Sequence, residues 1–274
     1  MGKITVRHYL NTKLKPEVCN DNYICFPIYL TITVNSKNIK RKSHITEFVS
    51  AKELENDFVD MPQIKTHLDY EADLITRIIR LYISDIDNRA IKNNLVSFFD
   101  LKGYNSKDNF INLLNAYIDF YSHSIYEAVY NQCSSKIENE VFERLKTVFN
   151  FADKTEAQRF FSYQNPIEEA DFIYKNLSRE SIEYLVLRER LKSFLATYAN
   201  KTGYDIPLID WKENLIQGEL KAFLETYRRK SEYYIKDGFS IDKALIEKYI
   251  SIIDNIVNAD DYIQIAKSRR TTDF

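Results

Sequence analysis

Glycine and proline are scarce in this chain of 274 residues, with five of each. So few turn formers cannot readily close many short hairpins, so long helices with short joints are expected. Spread this thinly, the glycines form neither a G-x-G-x-x-G run nor a P-loop, which excludes the common phosphate-cradling motifs. Cysteine occurs three times, at Cys19, Cys25 and Cys133. An odd count with irregular spacing points to reduced thiols rather than a disulfide framework. No Cys/His pair follows at metal-knuckle spacing, so no metal or cofactor is expected. No apolar run is long enough to cross a bilayer. The opening MGKITVRHYLN has no apolar core of a secretory signal, so a cytoplasmic protein with no membrane partner is expected.

What is present describes a packed chain. Hydrophobic residues make up 45% and charged residues 28%, enough apolar material for a core and against disorder over most of the length. Tyr (20) and Phe (17) are abundant, as in a core filled by rings. The net charge of −2 is unevenly spread. Residues 1–50 carry Lys3, Arg7, Lys13, Lys15, Lys37, Lys40, Arg41 and Lys42 against Glu17, Asp21 and Glu47, a net +5 that leaves −7 for the remainder. A basic module on an acidic body suits a polyanionic partner for the module.

Period two marks the start of the chain. Ile4, Val6 and Leu10 fall on one face of a strand, and Thr5, Arg7 and Tyr9 on the other. Residues 11–22 are polar, contain Pro16 and read as a loop. Residues 23–34 form the clearest strand, with Ile28, Leu30, Ile32 and Val34 against Tyr29, Thr31 and Thr33. Asn35 to Asn38 read as a hairpin turn. A return strand over 39–48 turns Ile39 and Ile45 inward, with Lys40, Lys42 and His44 outward. Arg41 falls on the inward side at the strand edge, from where it can snorkel. Ser50-Ala51-Lys52-Glu53 is a capping box opening a short helix whose Leu54 and Phe58 would cover the apolar face. Pro62 closes the module.

From about Ile64 the period becomes helical. Leu68, Ile75, Ile78, Tyr82 and Ile86 form one stripe; Phe110, Leu113, Leu114, Tyr117 and Tyr121 form a second. Leu187, Leu191, Phe194, Leu195 and Tyr198 form a third, and Leu245, Tyr249, Ile252 and Ile256 a late one. Capping boxes at Ser135–Glu138 and Thr155–Gln158 mark two further starts. About eight to ten helices are expected, with no internal repeat. The expected class is α+β: a three-stranded antiparallel sheet with one helix over 1–61, then an all-helical domain over 62–274.

The opening segments HYLNTKLKP, FPIYLTITVNSKNIKRKSHI and SAKELEND resemble the arm-type DNA-binding domain of tyrosine recombinases, in particular the integrases of Bacteroides-type mobile elements. Pro27, Ile28, Tyr29, Leu30, Ile32, Val34, Asn35 and Lys37 carry the likeness. It covers only about the first sixty residues. It implies a three-stranded sheet, backed by a helix, that enters the major groove of double-stranded DNA, in a protein linked to a mobile element. The chain departs from the family's pattern in the hairpin, where Ser36-Lys37 stands in place of the usual glycine, and after the return strand, where Ser43-His44-Ile45 stands for Ser-Thr-Gly. A recombinase also needs His-x-x-Arg. His8, His44, His67 and His123 are followed three residues later by Asn11, Glu47, Tyr70 and Tyr126, so recombinase activity is not expected.

The candidate DNA-binding residues are Arg7, Tyr9, Tyr29, Thr31, Thr33, Lys40, Lys42 and His44. Arg and Lys would reach phosphates or guanine edges and Thr would reach phosphates. The plainer reading is a solvated sheet face on which Lys discourages edge pairing. Glu168, Glu169 and Asp171 after Pro166, and Asp260 with Asp261, could serve a two-metal nuclease, but acids after a proline also suit a helix first turn. Tyr117, Phe120, Tyr121 and Tyr126, or Tyr227, Tyr233 and Tyr234 around Arg228–Lys230, could stack on bases; packed helix faces are the alternative. Lys267, Arg269 and Arg270 read as a frayed basic end. The leading expectation is therefore a DNA-binding protein that is not an enzyme, with a protein partner or self-association through its helices. The alternatives are a structural or protein-interaction module, and an enzyme with an unrecognised helical active site.

Overall fold

A computed structural model describes residues 4–18, 24–34, 37–93, 107–149, 177–226 and 243–259. The protein is mixed α+β, with five strands and eight helices among those residues. Two compact units divide at Ser122/His123, further along the chain than the expected 61/62 boundary.

The first unit holds the sheet. Strands β1 (Thr5–Leu10), β2 (Glu17–Val18), β4 (Lys37–Lys42) and β5 (Phe48–Ser50) all pair antiparallel with β3 (Ile24–Val34), and with no other strand. The expected count of three is corrected to five because each outer strand is interrupted. Along β3, Leu10 pairs with Ile28 and, beyond the 11–16 excursion, Glu17 pairs with Cys25. Likewise Lys42 pairs with Tyr29 and, after the break at 43–47, Phe48 pairs with Pro27. Val34 pairs with Lys37; Asn35 and Ser36 lie outside the described residues.

The alternation read for β3 holds: Ile28, Leu30, Ile32 and Val34 are at most 1% exposed. Leu10, Ile28 and Val49 pack with Phe58 and Leu68, with Leu54 and Ile64 at the margin. Helix α1 (Ala51–Glu55) begins where Ser50 Oγ accepts from the Glu53 amide at 3.3 Å. It ends in a Schellman turn: the Phe58 amide donates to Glu53 O (2.8 Å) and the Asp57 amide to Leu54 O (3.2 Å). Asp57 (φ 51°) and Phe58 (φ 60°) are left-handed there, which folds the Phe58 ring back into the core.

Pro62 opens α2 (Pro62–Asn93), a position proline favours because its missing N–H is not needed. Helix α3 (Lys107–Ser122) packs on α2, with Tyr82 and Tyr117 edge to face at 5.0 Å. The second unit contains α4 (Ile125–Phe149), α5 (Arg179–Thr202), α6 (Leu208–Lys212), α7 (Gln217–Thr226) and α8 (Lys243–Asn258). Ser178 caps α5 by accepting from the Ser181 amide at 3.2 Å. Gly203, at φ 79°, ends α5 in the left-handed conformation that glycine adopts without strain. Trp211 is buried and donates to Asp254 Oδ1 of α8 at 2.8 Å.

Three readings are corrected. The Ser135–Glu138 capping box lies inside α4, because a helix already stabilised on both sides continues through a local start signal. The buried stripe of α8 is Leu245, Ile246, Tyr249, Ile253 and Val257; Ile252 and Ile256 flank it. Cys25 is disulfide-bonded and Cys133 is a buried free thiol, so an odd cysteine count was no bar to one bridge. The Thr155–Gln158 box lies outside the described residues.

Candidate nucleic-acid interface

The register assembles the outward face of the sheet into rows. Thr5, Thr33 and Asn38 lie side by side, then Arg7, Thr31 and Lys40, then Tyr9, Tyr29 and Lys42. Directly paired residues share a face, so these side chains form one surface. Arg7, Lys40 and Lys42 are exposed; Tyr9, Tyr29, Thr31 and Thr33 are half-buried. No position in these rows is acidic.

Neighbouring rows interlock. The Tyr9 and Tyr29 rings lie 6.0 Å apart, and the Lys40 ammonium sits 5.8 Å from the Tyr9 ring centroid. A cation over a ring face is attracted by the ring quadrupole, so Lys40 is held near the surface rather than trailing into solvent. Partial burial, and then the neighbouring Tyr29, push the Tyr9 hydroxyl up from its ordinary pKa, so it stays protonated as a hydrogen-bond donor. Thr33 Oγ1 donates to Asn38 Oδ1 at 2.8 Å.

Seven of the eight residues singled out from sequence lie on this face; His44 does not. Strand alternation stops at Lys42, so period two no longer predicts where His44 points. Its backbone amide donates to Glu71 Oε1 at 2.7 Å, and its exposed ring lies 3.5 Å from Arg41 Nη2.

Beneath the face lies a polar cluster that the sequence reading missed. Glu71, on α2, is 4% exposed. Its Oε2 accepts from Ser43 Oγ at 2.5 Å and lies 2.9 Å from His8 Nε2. Burial would raise the Glu71 pKa, but the bonds from His8, the His44 amide and Ser43, together with the His8 charge, hold it below its ordinary value. Arg41, inward on β4, meets Asp119 of α3 at 2.7 Å. Two signals pointed here: His8 shares its parity with Val6 and Leu10, and Glu71 lies on the Leu68–Ile75–Ile78 stripe. A serine hydrolase needs the imidazole between hydroxyl and acid. Here the acid stands between Ser43 and His8, and Ser43 is buried, so the cluster is arranged as a clamp.

Of the aromatic candidates, Tyr117 and Tyr121 are core residues and cannot stack on a base. In the second unit Tyr126 lies 5.6 Å from Tyr130, and Arg188 sits 5.3 Å from the Tyr130 ring, a pairing satisfied within the unit. The carboxylates Glu168, Glu169, Asp171, Asp260 and Asp261, the Tyr227–Tyr234 cluster and the basic end at Lys267–Arg270 lie outside the described residues. Among the described residues, no group of three His, Cys, Asp or Glu could hold a metal ion, and no helix is long and apolar enough to cross a membrane. Compared with known proteins, the chain matches no family model, no curated protein and no solved structure.

Proposed function

We propose that the outer face of the sheet binds double-stranded DNA through the major groove, without catalysis, in a protein associated with a mobile element. One observation carries this reading: Arg7, Lys40 and Lys42 share a face with Thr31, Thr33 and two tyrosines, and with no acid. Two paired strands fit the width of a major groove. Cations there neutralise phosphates, and Thr and Tyr hydroxyls hydrogen-bond to them. The resemblance to the arm-type domain supplies the mobile-element context. The absence of His-x-x-Arg from the sequence supports a binding role over strand exchange. We assign the helices to self-association or a protein partner, and the action to the cytoplasm. The bridge at Cys25 favours a more oxidising setting.

The test is a titration of the full chain with duplex DNA across a range of salt, beside a Lys40→Glu/Lys42→Glu variant. Log affinity should fall linearly with log salt, and losing two phosphate contacts should flatten that slope by about 2. No binding by the wild-type chain at low salt would end this reading.

A further inference from the structure

The clamp beneath the sheet is placed in a way that its stability role does not require. His8 is the chain neighbour of Arg7 and Tyr9, which both face outward. Arg41 stands between Lys40 and Lys42, and Ser43 and His44 follow directly. Every outward cation of the face therefore has an immediate neighbour that turns inward onto a carboxylate. Those carboxylates come from two helices, Glu71 from α2 and Asp119 from α3. An apolar residue at each inward position would bury surface without desolvating a charge, and often stabilises a fold as well or better. What polar anchors add is a fixed position. A carboxylate gripped by an imidazole, a hydroxyl and an amide tolerates little sliding or twisting of the strands that carry them.

We propose that Glu71, seconded by Asp119, is a positioning residue for the basic face, locking β1 and the β4–β5 junction so that Arg7, Lys40 and Lys42 present one fixed spacing to a polyanion. This rests on reading the face as a DNA-binding surface. Glu71 makes no contact with DNA. It acts through His8, Ser43 and His44.

The test compares the full wild-type chain with Glu71→Gln and Asp119→Asn by amide hydrogen exchange and by duplex-DNA titration across salt. In Glu71→Gln the His44 amide and the β1 and β4 amides should exchange at least about tenfold faster, while α5 and α8 keep wild-type rates. DNA affinity should fall about tenfold or more, and the salt slope should flatten by about 1, because the cations no longer meet phosphates together. A purely structural role would scale affinity with the folded fraction and leave the slope unchanged, and that result would overturn the proposal. Should Glu71→Gln not fold, Ser43→Ala and Asp119→Asn carry the test, each with a smaller effect of the same kind. Unchanged β1 and β4 exchange in all folded variants would also overturn it. If the wild-type chain binds no duplex, the DNA reading of the face fails, and exchange alone decides whether Glu71 fixes the strands.

Discussion

Each compact unit buries a glutamate, and the two are satisfied in different ways. Glu71, in the sheet-bearing unit, is held by short, nearby donors: a hydroxyl, a backbone amide and an imidazole whose side chain is 11% exposed. Glu183, in the helical unit, is held by long cations that reach in from water. Arg179, four residues earlier, has a side chain 81% exposed, and Lys248 of α8 one 44% exposed. Short donors fix a position; long, solvated ones supply charge and let the helices move slightly. The contrast follows from secondary structure. A broken strand turns its backbone amides and small side chains toward a helix, whereas the Glu183 carboxylate, on a regular helix, is reached by long side chains.

Three measurements press on that contrast. The largest effect should come from neutralising the two acids in turn. Glu71→Gln leaves buried donors facing a donor and should cost about 3 kcal/mol. Glu183→Gln leaves cations that water can solvate and should cost about 1 kcal/mol. Chemical denaturation followed by circular dichroism reads the first, and Trp211, the single tryptophan, reports the second through its fluorescence. Equal costs would remove the distinction.

Acid titration comes next. The Glu71 pKa is lowered on folding, so its contribution to stability is complete above its ordinary value of 4.5 and drains away as pH falls below that. Wild-type stability should therefore drop on the acid side of pH 4.5, and Glu71→Gln should flatten that limb. An unchanged acid limb in the variant would show that other carboxylates control it.

The smallest effect concerns helix caps. Ser178→Ala removes the acceptor for the Ser181 amide and a donor to Glu140 Oε2 (2.9 Å), and should cost about 1 kcal/mol. Ser50→Ala, at the head of the five-residue α1, should cost about half as much, since that helix is held mainly by Leu54 and the Phe58 turn. Thermal unfolding of the two variants separates them.

Much of the sheet's outer face was legible because period two is a local property. Once β3 is recognised, Tyr29, Thr31 and Thr33 must share a side, and pairing places Arg7, Tyr9, Lys40 and Lys42 beside them. Legibility ended where alternation did. His44 was assigned by counting through a break at which Glu71, on a distant helix, accepts from the His44 amide. Glu71 itself stood on an apolar stripe as an acid out of place, but no spacing rule names the strand residues that reach it. The capping box at Ser135 failed for the opposite reason: its chemistry was correct, and the packing around it continued the helix regardless.

The interruptions in the outer strands also bear on how copies of this chain behave toward one another. All four strands flanking β3 are edges, and an unbroken edge offers a row of unpaired N–H and C=O groups on which a neighbouring chain can add a strand. Among the described residues no edge strand runs longer than six residues. The longest on the β4 side is rich in lysine, and the exposed Val18, paired with Ile24 at the start of β3, sits on a strand of only two residues. A template this short and this charged disfavours strand addition. The same breaks that bring Ser43 and His44 to Glu71 thus shorten the edges on which a strand-rich neighbour would add.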